Sequence, residues 1–145
     1  MHSLLGPAVV EGHAPTMSHA FSANLFTLCA GTVTLFQLAL VAGAPWGQLT
    51  QGGRVGGALP LAGRLVALAS ALLLVAFIVA VRARARTDRF RRMAWVVVAY
   101  CALGIVANAA TPSAPERALW LPVVTLMFGA SLHVARRRAP TRDVP

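Results

Sequence analysis

The sequence has no lysine, only four acidic residues, two cysteines and one tyrosine, and 12% of its 145 residues are charged. A soluble domain carries about 25% charged residues, so this composition does not make a soluble globular surface. Cys29 and Cys101 have no base or cation beside them in sequence. That leaves no locally activated thiol and makes both small apolar core residues. They fall about eight residues into spans of the same direction, a depth that permits contact without implying a disulfide. Signatures of catalysis or of a cofactor are missing as well, and no cofactor and no metal are expected. Glu11, His13 and His19 come nearest to a metal set, but their spacing matches no ligand pattern and a flexible terminus pre-organises nothing. The first sixteen residues hold neither arginine nor lysine, so they lack the basic start of a signal peptide and no cleavage is expected. Met17 offers a second start just before the first apolar run.

What is present is apolar: 57% of the chain is hydrophobic. Apolar runs lie at about 21–42, 61–81, 93–110 and 117–135, each near the roughly 20 residues that cross a bilayer as a helix. Four such spans with connections need on the order of 110 residues, which leaves no room for a soluble domain. The expected fold class is all-α, an integral membrane four-helix bundle. Its parts are a flexible cytoplasmic tail (1–20), a four-span domain (21–136) with an outer loop (43–60) and a basic inner loop (82–92), and a basic cytoplasmic tail (137–145).

A net charge of +9 suggests nucleic acid until the charges are placed. All thirteen basic residues are arginine, six between Arg82 and Arg92 and four between Arg136 and Arg142, with only Arg54, Arg64 and Arg117 elsewhere. Each cluster follows an apolar run, the pattern of cytoplasmic flanks that face anionic lipid headgroups. The partners implied are the lipid bilayer and those headgroups, not nucleic acid. Four spans put both termini and the middle loop on one side, which gathers ten arginines there against three opposite. The termini are therefore expected in the cytoplasm of a cell whose inner (plasma) membrane holds the chain.

Small or weakly polar residues recur at helical spacing on every span. Thr27, Ala30, Thr34 and Gln37 mark the first, and Gly63, Ala67, Ser70 and Ala71 the second. Val97, Cys101, Gly104 and Asn108 mark the third, and Thr125, Gly129 and His133 the fourth. Close backbone approach and interhelical hydrogen bonds draw helices together in lipid, so these faces are expected inside the bundle. In depth the polar groups converge on the outer side: Gln37, Arg64, Ser70, Asn108, Glu116, Arg117 and Thr125. The 43–60 connection covers that side with Pro45, Trp46, Gln48, Gln51, Arg54 and six glycines. A loop of this length is expected to act as a lid or re-entrant hairpin, with Trp46 as an interfacial anchor. An outer polar site of Trp46, Arg64, Asn108 and Glu116 follows.

Plainer roles compete for some of these residues. Ser113 and Glu116 in S-A-P-E read as a capping box for the fourth span. Pro60 opens the second span in the tolerated first turn, and Pro122 inside the fourth frees the carbonyl of Ala118 and kinks the helix. Arg64 can snorkel to the headgroups or pair with Glu116.

G-A-P-W-G at 43–47, G-G-R-V-G-G-A-L-P at 52–60, Arg64, Ser70, Asn108, Ser113, E-R at 116–117, Trp120 and Pro122 together resemble a group of small four-span bacterial integral membrane proteins of uncharacterised function. The resemblance covers roughly residues 20–135, and the P-W-G to L-P segment is its most specific part. It implies the same fold and the same side of interest, and no activity. Three functional classes fit the sequence: a non-enzymatic structural or accessory subunit, a small oligomeric transporter or channel, and a membrane enzyme acting on lipid or a small solute at the outer face. A homo-oligomer or a membrane-protein partner suits the first two. No span carries the mid-membrane acid of a proton-coupled carrier, and Glu116 is the lone outer acid for general acid–base chemistry.

Overall fold

Residues 18–84 and 86–136 are described by a computed structural model. The N-terminal segment with Glu11, His13 and Met17, and the C-terminal segment with Arg137, Arg138 and Arg142, lie outside the described residues. So do the expectations attached to them: the tail, the alternative start and the incipient metal set.

Four helices of 23 residues each account for most of the described chain: α1 (His19–Val41), α2 (Leu61–Ala83), α3 (Asp88–Ala110) and α4 (Ala114–Arg136). At 1.5 Å per residue each is about 35 Å long, enough for a hydrocarbon core about 30 Å thick. All four are long and apolar enough to cross a membrane, and no strand occurs among the described residues.

Local sequence chemistry sets the ends. Ser18 Oγ accepts from the Phe21 amide, Thr87 Oγ1 from Phe90 and Ser113 Oγ from Glu116, so three helices start on a hydroxyl cap. Pro60 precedes α2. At the end of α1, Gly43 takes a left-handed φ of 99°, which lets the Ala44 amide reach back to the Ala39 carbonyl. Helix α4 runs through Pro122 without interruption.

The third helix begins five residues before its apolar run, which corrects the expected 82–92 loop. The Thr87 cap and Asp88 in the first turn start the helix, and Asp88 pairs with Arg91 at 3.2 Å on the surface. Arginine is a good helix former, so a hydropathy boundary does not mark the backbone boundary. Arg82 still belongs to α2, where its Nη1 donates to Asn24 Oδ1 at 3.0 Å and ties that end to α1. Arg84, in the short turn that remains, is 6% exposed, and burial together with neighbouring Arg91 lowers its guanidinium below the usual arginine range.

Helix α1 packs between α2 and α4, α3 packs on α4, and of the four neighbouring pairs around the bundle α2 and α3 meet least closely. Phe26, Ala30, Leu74, Phe77, Val97, Cys101, Met127, Ala130 and Val134 form the main core. The faces expected inside on the first three helices include buried Ala30, Thr34, Gly63, Ala67, Ala71, Val97 and Cys101. On α4 the expectation is corrected: Thr125 and Gly129 are exposed, and Met127, Ala130, Ser131 and Val134 face in. Thr125 Oγ1 donates to the Leu121 carbonyl of its own helix at 2.7 Å, so its polarity needs no interior partner. Cys29 and Cys101 are both free thiols.

Candidate functional site

The connection between α1 and α2 folds back over one end of the four helices. Its neck closes where the Gly47 amide donates to the Gly57 carbonyl at 2.9 Å. Two short 3-10 turns follow, at Gly47–Leu49 and Gln51–Gly53. Gln51, Gly52 and Gly53 all have positive φ (52°, 80° and 67°), which glycine tolerates and glutamine does not favour. The Gln51 side chain offsets this by donating Nε2 to the Gly63 carbonyl at 2.9 Å.

Side chains at the start of α4 hold the main chain of this loop. Ser113 Oγ donates to the Gln48 carbonyl at 2.9 Å, and Trp120 Nε1 donates to the Leu49 carbonyl at 2.7 Å. Glu116 Oε2 accepts from the Gly52 amide at 2.9 Å and from Thr111 Oγ1 at 3.1 Å. A methyl group on Gly53 would stand 2.7 Å from Ser113 Cβ, so the close approach there requires glycine. Half of the expected capping box forms: Ser113 caps the Glu116 amide, while the Glu116 carboxylate serves the loop. On the α1 side Trp46 stacks on Phe36, with centroids 5.7 Å apart, and Trp120 meets the same ring edge-on at 4.6 Å.

Trp46, Arg64, Asn108 and Glu116 thus all lie at this end, but they do not form one site. No ion pair joins Arg64 to Glu116. Arg64 Nε donates to the Leu59 carbonyl at 2.9 Å and its guanidinium lies against Gly43. A carbonyl left open at the start of α2 and an amide presented by Gly52 satisfy the two groups separately, and the simplest pairing by charge loses to those main-chain partners. Arg117 likewise donates to the Thr111 carbonyl at 2.7 Å.

Asn108 and Glu116 do share a cavity of about 210 Å³. Gln37 from α1, Thr50 from the loop, Ser70 from α2 and Tyr100 from α3 join them in its walls, with Trp120 from α4. Leu74 and Met127 also line it and belong to the packed core that continues toward the other end through Phe26, Phe77 and Val134. Trp46 and Arg64 are outside the lining. Thr50, Tyr100 and Thr111 escaped the sequence reading. Tyr100 was within its reach, because Tyr100, Gly104 and Asn108 recur every four residues and so share a helix face.

Glu116 is the only charged group in the lining, which contains no histidine or cysteine. The arrangement can hydrogen-bond and orient a small polar molecule. Among the described residues Glu116 bonds to Gly52 and Thr111 and to none of the Ser70, Thr50 or Tyr100 hydroxyls of the lining. The chain matches no protein family, no curated protein and no solved structure with which it was compared.

Proposed function

We propose that this chain is a non-enzymatic multi-pass protein of the plasma membrane, a structural or accessory subunit whose working part is the loop-covered cavity, open to the extracytoplasmic side. One observation carries the reading: all four helices and the loop contribute to one cavity of mixed polar and apolar walls, beneath a loop whose main chain is held by Ser113, Glu116 and Trp120. A chain that only filled membrane would have no use for such a cover. The packed half beyond Leu74 and Met127 argues against a through-path within one chain, and the single acid argues against acid–base catalysis. The arginine distribution supports cytoplasmic termini. Anionic lipid headgroups are the natural partners of the arginine-rich end, where an apolar groove of about 680 Å³ runs past Val79, Phe90 and Met93 to Thr87 and Arg89. Membership of the small bacterial four-span group named above is part of the same proposal.

Two measurements in cells test it. A phosphatase fused after Gly53 should be active and one fused after Arg92 inactive, and the reverse pair overturns the orientation. Ser70→Cys should react with a membrane-impermeant thiol reagent added outside, faster than Thr32→Cys on the exposed side of α1. Equal, slow labelling of both overturns the open cavity.

A further inference from the structure

We infer that the cavity binds a primary ammonium group, carried either by a small soluble amine or by the headgroup of an aminophospholipid. The inference rests on the outer binding cavity proposed above and gives its ligand class. Charge is the first argument. Glu116 is the sole ionic side chain in the lining, while Arg64 and Arg117 are turned to the Leu59 and Thr111 carbonyls. Hydrogen-bond inventory is the second. Glu116 Oε2 already accepts twice, whereas Oε1 accepts nothing from the described residues. Asn108 spends an amide hydrogen on the Gly104 carbonyl at 2.8 Å, and the Ser70 hydroxyl spends its only one on Val66 at 2.9 Å. These three residues still offer mainly acceptors, a carboxylate oxygen, an amide oxygen and a hydroxyl lone pair, while Gln37, Thr50 and Tyr100 in the same walls can both donate and accept. An ammonium group presents three donors and no acceptor.

Two further features fit the same class. Tyr100 and Trp120 bring aromatic rings to the walls, which favour a cation over a neutral or anionic group. A carboxylate oxygen with an open valence in a half-enclosed site is costly unless a partner or water satisfies it. As for size, a cavity of about 150 Å³ admits benzene, so 210 Å³ suits a ligand somewhat larger than that. Ser70, Tyr100 and Asn108 retain partial exposure along the seam between α2 and α3, the loosest of the four neighbouring pairs. A headgroup can enter there from the side, and a soluble amine can enter past the loop.

The test uses the full chain in phosphatidylcholine nanodiscs at fixed ionic strength, with ethanolamine as the amine and ethylene glycol as its neutral analogue. Ethanolamine should raise the thermal midpoint saturably and ethylene glycol should not. Replacing phosphatidylcholine by phosphatidylethanolamine identifies the source. A raised midpoint to which ethanolamine adds nothing assigns the lipid headgroup, whereas a response to ethanolamine with none to the lipid assigns a soluble amine. Glu116→Gln should abolish the response. Since that variant also weakens the loop's attachment, Asn108→Leu serves beside it, because Asn108 bonds only within its own helix. It should weaken the apparent affinity by about tenfold, the effect of one lost contact to a charged group. The inference is overturned by equal responses to ethanolamine and ethylene glycol, by no response to either amine source, or by a full response in both variants. If Ser70→Cys is labelled from outside while amines do nothing, the ligand class alone fails. If it is not labelled, the binding cavity itself fails.

Discussion

Replacing Gly47 by alanine puts the neck of the loop under a defined load. Gly47 is buried and shows no left-handed φ, so alanine is conformationally acceptable and the effect is one of space. The added methyl would stand 2.5 Å from the Val55 carbonyl oxygen and 2.7 Å from that of Gly57, where ordinary contact begins at 3.4 Å. The first oxygen has to retreat by about 0.9 Å and the second by about 0.7 Å, and both are main-chain atoms that move only with the loop. Overpacking of this kind costs about 1–3 kcal/mol. Separating Gly47 from Gly57 also strains their 2.9 Å hydrogen bond, which contributes about 1 kcal/mol more. Gly56→Ala is the matched control, because a methyl there meets nothing within 4 Å. It should be neutral or stabilise by up to about 1 kcal/mol through the unfolded chain. Unfolding of purified protein in mixed micelles, titrated with denaturing detergent, compares the two. Losses of equal size in Gly47→Ala and Gly56→Ala would refute the closed neck.

Arg64→Ala and Glu116→Ala should act additively on stability within about 0.5 kcal/mol, since the two side chains have separate partners; a larger coupling term in a double-mutant cycle would mean that they interact. Ala67 is 1% exposed and Leu73 is 38% exposed, so Ala67→Leu should lower the melting midpoint in detergent by an amount equivalent to about 1–3 kcal/mol while Leu73→Ile leaves it in place. On α4, Ala130→Leu should destabilise and Gly129→Leu should be tolerated, because Ala130 is 2% exposed while Gly129 is exposed and a Cβ there meets nothing within 4 Å; the opposite order would restore the Thr125–Gly129 face as the interior.

The helices were legible because each required feature is local. An apolar run of about 20 residues suffices to name a span, and Ser18, Thr87 and Ser113 stand where caps belong. Faces were legible where polarity and burial coincide, as at Ala67 and Cys101. They failed on α4, where Thr125 satisfies itself along its own helix and a polar residue looks outward without penalty. The candidate site was legible in depth but not in detail. Sequence alone placed Asn108, Glu116 and Arg64 at one level. It could not tell that main-chain groups of the loop, which every sequence possesses, would compete for Glu116 and win. Charge pairing is visible in a string of residues, whereas an exposed amide at Gly52 depends on three successive left-handed conformations.

The bonds that hold the loop down span great distances along the chain. Gly52 and Glu116 are 64 residues apart, Gln48 and Ser113 are 65, and Leu49 and Trp120 are 71. A chain that emerges amino end first completes the loop and its two flanking helices long before Ser113 leaves the ribosome. Until then the carbonyls of Gln48 and Leu49 and the amide of Gly52 wait without the groups that later satisfy them. The loop can therefore be pinned over the helices only once the chain has been synthesised into its fourth helix. A chain that ends before Ser113 lacks all three of these attachments, and that difference separates an unfinished molecule from a finished one.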